Sequence, residues 1–189
     1  CIQLIPTTDR AAVGILPAMD EDVDVIVPRG RPSLIERVKE QSRIPVLAHL
    51  DGICHVYVHA AVDPDIARDV TFNAKMRRTG VCGAAETLLI DRQALRLLPA
   101  ILAPLFDAGC EVRGDSEVCA IDSRATPASD VDWDTEYLDA ILSVRVVEGI
   151  EQAIGHVNLH GSHHTDAILT EDAAAAERSL GEVVSFSCL

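Results

Sequence analysis

The 189-residue chain lacks a CxxC pair, a long apolar run, an excess of basic residues and a Gly-x-Gly-x-x-Gly turn. Its six cysteines, at positions 1, 54, 82, 110, 119 and 188, are scattered, which argues against a zinc knuckle and against a disulfide framework. A reducing, cytoplasmic setting is the simplest expectation, with each thiol either apolar filler or a nucleophile. The most apolar stretch, residues 97–106, contains Pro99 and Pro104 and falls short of the roughly 20 apolar residues of a membrane-spanning helix. No signal-peptide pattern opens the chain. With 16 Lys+Arg against 30 Asp+Glu, the net charge of −14 leaves no basic footprint for nucleic acid. A local group of cations can still serve an anionic substrate.

Apolar residues make up 48 % and charged residues 24 %, a globular composition, and the length suits one large domain or parts of two. Strand-like and helix-like segments alternate. Residues 1–5, 23–27, 45–48, 54–58, 87–90, 110–113, 118–121, 141–147 and 167–169 read as strands. Helices are expected over 10–19, 32–42, 64–75, 92–108, 150–160 and 171–180. Asp63 is the expected N-cap of the third helix and Gly109 the stop of the fourth. The continuous apolar run 23–27 suits a strand buried on both faces of a parallel sheet. This order is that of an α/β protein. The chain opens at Cys1 in a strand-like segment, so a fragment is expected.

The most informative stretch is Lys75-Met76-Arg77-Arg78-Thr79-Gly80-Val81-Cys82-Gly83-Ala84-Ala85-Glu86-Thr87. Cys82 lies in a small-residue segment, shortly after three cations and just before a strand. Positive charge favours thiolate, the nucleophilic form, and flanking glycines permit close backbone approach of a carbonyl. A cysteine between glycines is by itself weak evidence, since most free cysteines are inert core residues. For Lys75, Arg77 and Arg78 two readings stand: an anion site, or cations at the negative end of a helix. A site role is favoured for Arg78 and the helix-end role for Lys75.

Read together, PRG…SLIERV, PVLAHLDGICHVYV, NAKMRRTGVCGAAETLL and HGSHHTDAILTED resemble the gamma-glutamyl phosphate reductase (glutamate-5-semialdehyde dehydrogenase) family, a branch of the aldehyde dehydrogenase superfamily. The resemblance runs from Ile2 to about Glu182, with the motifs in order and at matching spacing. It implies an aldehyde dehydrogenase-like α/β fold: residues 1–49 as the latter part of a Rossmann-like NADP-binding domain, and 50–189 as a truncated α/β catalytic domain, with the active site in the crevice between them. It implies reduction of L-glutamyl 5-phosphate by NADPH to L-glutamate 5-semialdehyde and phosphate, the second step of proline biosynthesis from glutamate. Cys82 sits where that family has its nucleophile, and would form a thioester. The Cys82 N–H is a plausible oxyanion donor, and its usual Asn partner lies upstream of this chain.

The same resemblance places Arg29, Gly30 and Ser33 on the dinucleotide, at a strand-to-helix turn whose unpaired N–H groups suit a pyrophosphate. The family usually reads PRGG there, and Arg31 replaces the second glycine. Glu136 aligns with a ribose-binding Glu, while on the residues alone it is one acid in an acidic loop, 130–139. His49 stands 33 residues before Cys82, where hydrolytic relatives resemble one another in a water-activating Glu. Losing that base suits an enzyme that must not hydrolyse its thioester, although His49 can equally cap a strand. Arg78, Thr79, Ser162 and His163 are expected on the substrate or its phosphate. No metal site is expected from Cys54, His55, His59 and His160–His164, because strand alternation sends Cys54 and His55 to opposite faces.

Two alternatives remain at this point: a CoA-acylating aldehyde dehydrogenase of the same fold, and a non-catalytic piece of the reductase. The end of the chain, 183–189, departs from the family, and a homo-oligomer is expected for the full-length enzyme. The fragment alone is expected to turn over poorly.

Overall fold

The computed structural model describes residues 2–30, 32–48 and 51–189, so Cys1, Arg31, His49 and Leu50 lie outside it. Two compact units are present, Cys1–Leu50 and Asp51–Leu189.

In the first unit, α1 spans Ala11–Ile15 and continues as a 3₁₀ turn, Leu16–Ala18. The helix is shorter than 10–19 because Pro17 lacks an N–H and its ring crowds the preceding turn. Asp9 closes its start by accepting from the Ala11 N–H at 2.9 Å. The strands expected at 23–27 and 45–48 reduce to one parallel bridge, Ile26 to Val46, with Ile26 N–H on the Pro45 carbonyl and Leu47 N–H on the Ile26 carbonyl, both 2.9 Å. Pro28 and Pro45 remove N–H groups that a longer ladder would use. Residues 2–5 are irregular rather than a strand, with Ile2 and Leu4 fully exposed. α2, Pro32–Gln41, buries Ile35 and Val38, and Pro17 and Ile44 are the other buried apolar residues among those described in this unit.

The second unit is built on a seven-stranded parallel sheet in the order β4-β3-β5-β2-β1-β6-β7. Its elements run β1 (Cys54–Val58), α3 (Pro64–Met76), β2 (Ala85–Asp91), a 3₁₀ turn (Arg92–Leu97) leading into α4 (Leu98–Asp107), β3 (Glu111–Gly114), α5 (Ser116–Ile121) and β4 (Thr126–Pro127). After a 3₁₀ turn, Asp130–Asp134, come β5 (Ile141–Val147), α6 (Ile150–His160), β6 (Thr165–Leu169), α7 (Ala173–Glu182) and β7 (Ser187–Cys188). Strand alternation divides the side chains between two apolar clusters. Val56, Val58, Leu88, Ile90 and Val144 pack with Ala67 of α3 and with Leu98, Ile101, Leu102 and Leu105 of α4. Tyr57, Leu89 and Val147 pack with Ala153 and Val157 of α6. Each fully buried Leu or Ile of α4 stabilises this arrangement by about 1.5–3 kcal/mol.

Asp63 caps α3 through the Asp65 and Ile66 N–H groups, and Gly109, at φ +80°, ends α4 in a conformation that side chains rarely adopt. Residues 118–121, expected as a strand, form the end of α5 instead. Asp115 decides this: one carboxylate oxygen accepts from Glu117 and Val118 N–H at 3.0 Å each, and the other accepts from Val146 N–H at 2.7 Å. Among the described residues no helix is long and apolar enough to cross a membrane.

Asp115 therefore ties a helix start to the neighbouring strand. Asp115→Ala is expected to lose about 1 kcal/mol for the cap and about 1–3 kcal/mol for the strand N–H left without its acceptor. Urea unfolding followed by circular dichroism checks the sum.

Candidate functional site

Four loops meet at the amino-terminal ends of β1, β2, β5 and β6, and all the candidate residues of the second unit lie on or beside them. Cys82 lies on the loop entering β2 and is partly exposed. Gly52, two residues before β1, packs against its backbone. A Cβ built on Gly52 would stand 2.0 Å from the Cys82 carbonyl oxygen and 2.6 Å from its Cα, so only glycine fits. The Cys54 thiol, two residues further on, donates to the same carbonyl at 3.2 Å. Burial pushes the Cys54 thiol up to about 12, so it stays protonated and serves as a donor.

The ends of the Cys82 loop are fixed by a buried ion pair. Lys75, in the last turn of α3, reaches Glu86 at the start of β2 at 2.5 Å, and both side chains are essentially inaccessible to solvent. Lys75 thus lies at the helix end as expected, but buried against Glu86 rather than solvated. Burial pushes the Glu86 carboxyl up, opposed by the hydrogen bond and charge of Lys75. Its second oxygen accepts from the Leu138 N–H at 3.4 Å, and Leu138 sits at φ +54°, a strained conformation for this residue. The pair therefore reaches from the Cys82 loop to the Glu136 loop.

Glu136 is partly buried and accepts from the Gly52 N–H at 2.9 Å. Burial pushes its carboxyl up, against the pull of that N–H. The loop around it is anchored by Asp132, which accepts from Arg113 and from the Tyr137 hydroxyl, both at 2.7 Å, and from the Ser129 backbone and hydroxyl at 2.7 Å. Burial alone would raise the Asp132 carboxyl, but the bonds from Arg113, Ser129 and Tyr137 outweigh it and hold the group well below the usual carboxylate range.

The remaining sequence candidates fall as follows. Ser162 accepts from the Ile53 N–H at 2.9 Å, pinning the loop that enters β6 to the start of β1. His163, at φ +59°, donates toward the Val184 carbonyl at 2.6 Å and so faces the terminal segment. It is His164 that lies beside the site: its ring stands 4.0 Å from a Cβ built on Gly83, and its Nδ1 lies 3.8 Å from the Cys54 sulfur. Arg78 and Thr79 lie on the segment leading to Cys82, with Arg78 exposed and Thr79 half-buried. Arg29, Gly30 and Ser33 are exposed at the start of α2 in the first unit. His49 lies outside the described residues.

Gly52, Cys54, His164 and the Lys75–Glu86 pair escaped the sequence reading. Two signals bore on the pair's members: Lys75 continues the Ala67, Thr71 stripe at i+4 spacing, all of it buried, and Glu86 stands just before the apolar run Leu88–Ile90 of β2. Among the described residues no group of three or more His, Cys, Asp or Glu is placed to hold a metal ion. Cys54 and His55 separate as alternation requires: the His55 ring pairs with buried Asp166 at 2.9 Å, away from the Cys54–Cys82 contact.

No family model matches the chain. Gamma-glutamyl phosphate reductase of Methylobacterium sp. (strain 4-46) is 59 % identical over 186 residues, covering 97 % of this chain and 43 % of the relative. The crystal structure of gamma-glutamyl phosphate reductase from Thermotoga maritima superposes with a TM-score of 0.90 at 35 % identity, covering 97 % of this chain and 45 % of that one. An acetylating aldehyde dehydrogenase from Geobacillus thermoglucosidasius, at 18 % identity and TM-score 0.71, covers 95 % of this chain and 48 % of its own, and shares the fold. The sequence resemblance to gamma-glutamyl phosphate reductase and the aldehyde dehydrogenase-like α/β fold are thus found again, over a chain that spans less than half the length of these relatives.

Two outcomes follow from this geometry. Gly52→Ala is expected to displace the Cys82 backbone and change the alkylation rate of Cys82 by about tenfold or more, since ångström-scale displacements at a reacting atom have effects of that order. Mass-spectrometric alkylation kinetics measure it. The Asp132 carboxylate, with its folded pKa depressed, supplies stability that is present above about pH 4 and is lost as pH falls toward its folded value. The destabilisation caused by Asp132→Asn is therefore largest at neutral pH and shrinks below about pH 4, as read from thermal midpoints across pH.

Proposed function

We propose that this chain is the nucleophile-bearing part of a gamma-glutamyl phosphate reductase that reduces L-glutamyl 5-phosphate with NADPH to L-glutamate 5-semialdehyde and phosphate, within proline biosynthesis and in the cytoplasm. The observation that carries the reading is Cys82. Its backbone is gripped by Gly52 and by the Cys54 thiol, while the residue itself remains partly exposed where four loops meet.

In this reading the Cys82 sulfur attacks the acyl carbon of the substrate. The S–C bond forms, the bond from carbon to the phosphate oxygen breaks, and phosphate leaves, giving a thioester. The Cys82 N–H supports the developing oxyanion. Arg78 and Thr79 precede the nucleophile and are assigned to the substrate. Ser162 and His163 then hold the loop from which His164 faces Gly83, a supporting role rather than direct contact.

The residues present suit a nicotinamide dinucleotide. Glu136 is a partly buried carboxylate one hydrogen bond from Gly52, which in turn touches Cys82, so a ribose held there would lie beside the nucleophile. Arg29, Gly30 and Ser33 surround the start of a ten-residue helix, where N–H groups favour a pyrophosphate. When bound, NADPH supplies hydride to the thioester carbon, and the thiolate of Cys82 is released. The full-length enzyme is assigned as a homo-oligomer acting on a small molecule, with no metal.

The test uses the reverse reaction in a full-length enzyme containing this sequence: NADP reduction by L-glutamate 5-semialdehyde, with phosphate or CoA as acceptor. Phosphate-dependent turnover that Cys82→Ser lowers by about 10³-fold or more is expected. Undiminished turnover in the serine variant, or a requirement for CoA, would overturn the assignment.

A further inference from the structure

Charge pairing in the second unit is nearly complete. Arg68 pairs with Asp65 and Asp69, Lys75 with Glu86, Arg92 with Glu117 and Glu148, Arg113 with Glu111 and Asp132, Arg124 with Asp122, and Arg178 with Glu151 and Glu182. Arg96 donates to the Gln93 carbonyl and Arg145 contacts the His156 ring. Arg77 and Arg78 are the cations left over. Both are exposed, and among the described residues neither side chain has a hydrogen bond, ion pair or ring contact, in a protein with 30 carboxylates.

These two arginines border the same cavity, an open pocket of about 350 Å³. Asn73 and Ala74 of α3 line its wall together with Val81 and Gly83, the neighbours of Cys82 on either side, and Ala84. A volume of this size suits a small-molecule group rather than a single water. The position of Arg77 at the end of α3 explains why positive charge is tolerated there. It does not explain why two guanidinium groups stay without a side-chain partner around a hollow lined by the residues on either side of Cys82.

We infer that Arg77 and Arg78 line a subsite for a tetrahedral phosphate, the group that leaves when Cys82 is acylated and returns when the thioester is phosphorolysed. The subsite rests on the reductase reading for its place in the reaction, but not for its chemistry. Guanidinium groups present forked donors that match phosphate oxygens, and Asn73 adds a neutral amide to the same wall. Arg77 is the new assignment, and phosphate rather than the substrate's carboxylate is the ligand. Two cations bordering a hollow next to the acyl carbon would attract the dianion there and stabilise the charge that builds on it as it departs.

The test uses this chain and two alkylating reagents of similar size, anionic iodoacetate and neutral iodoacetamide, with labelling at Cys82 quantified by mass spectrometry. The ratio of the two rates reports positive potential at the sulfur. Inorganic phosphate is expected to slow iodoacetate several-fold at a constant ionic strength of about 0.15 M, while acetate at equal ionic strength does not. The double variant R77Q/R78Q is expected to lower the iodoacetate-to-iodoacetamide ratio by about fivefold and to abolish phosphate protection. Both side chains are solvent-exposed, so the fold should persist, and an unchanged circular dichroism spectrum verifies this. Protection that survives in the double variant, equal protection by acetate, or an unchanged ratio each overturns the subsite. None of these results bears on whether Cys82 is essential in the full-length reaction. Loss of the subsite and loss of the reductase reading therefore register separately.

Discussion

The Lys75–Glu86 ion pair is the constraint on which the candidate site depends. It closes the ends of the segment that carries Arg77, Arg78 and Cys82, joining the last turn of α3 to the first residues of β2. Two charges removed from water are stable only if they meet, and breaking such a pair typically costs about 3–5 kcal/mol because the remaining charge is stranded. The loop between them is therefore held by its ends, although it is exposed and contains two glycines. The second oxygen of Glu86 extends the same constraint to Leu138, and so to the loop carrying Glu136.

Within that frame the Cys82 backbone is located by exclusion as well as by bonding. Gly52 leaves no room for a side chain, and the Cys54 thiol, kept protonated by burial, donates to the Cys82 carbonyl. The site thereby occupies the amino-terminal ends of β1, β2, β5 and β6. Many parallel α/β sheets instead bind ligands at the carboxyl ends of their strands. Here the entering loops supply the glycines, Cys82 and the arginines whose side chains have no partner among the described residues, while the strands supply rigidity.

A separate polar layer lies on the sheet face under α6. His55 pairs with Asp166, which also accepts from the Ser185 hydroxyl at 2.7 Å. His156 packs edge-on against His55 and Trp133, and contacts Arg145 at 3.0 Å. Burial, with neighbouring His55, His160 and Arg145, pushes His156 down to about 2, so it is neutral near pH 7. This layer replaces part of an apolar interface with directional contacts, which restricts how α6 can seat on the sheet.

Much of this architecture was legible from residue order. β5 and α6 keep their expected bounds, Asp63 caps α3, and Gly109 ends α4, because alternation, capping and positive φ are local properties of a few neighbouring residues. The error at 118–121 arose where Asp115, a local cap, outweighed an apolar strand-like run. Cys82 and Glu136 are singled out by the resemblance of their motifs to gamma-glutamyl phosphate reductases, since on the residues alone Cys82 is weak evidence and Glu136 one acid among several in its loop. The partnership of Lys75 with Glu86, the closeness of Gly52 to Cys82, the choice of His164 over His163, and the isolation of Arg77 and Arg78 all depend on residues brought together across the sheet. Local pattern marks at most the separate positions of Lys75 and Glu86, never the partnerships, because pairing energy and steric exclusion are set by distance in space, and folding is what fixes that distance.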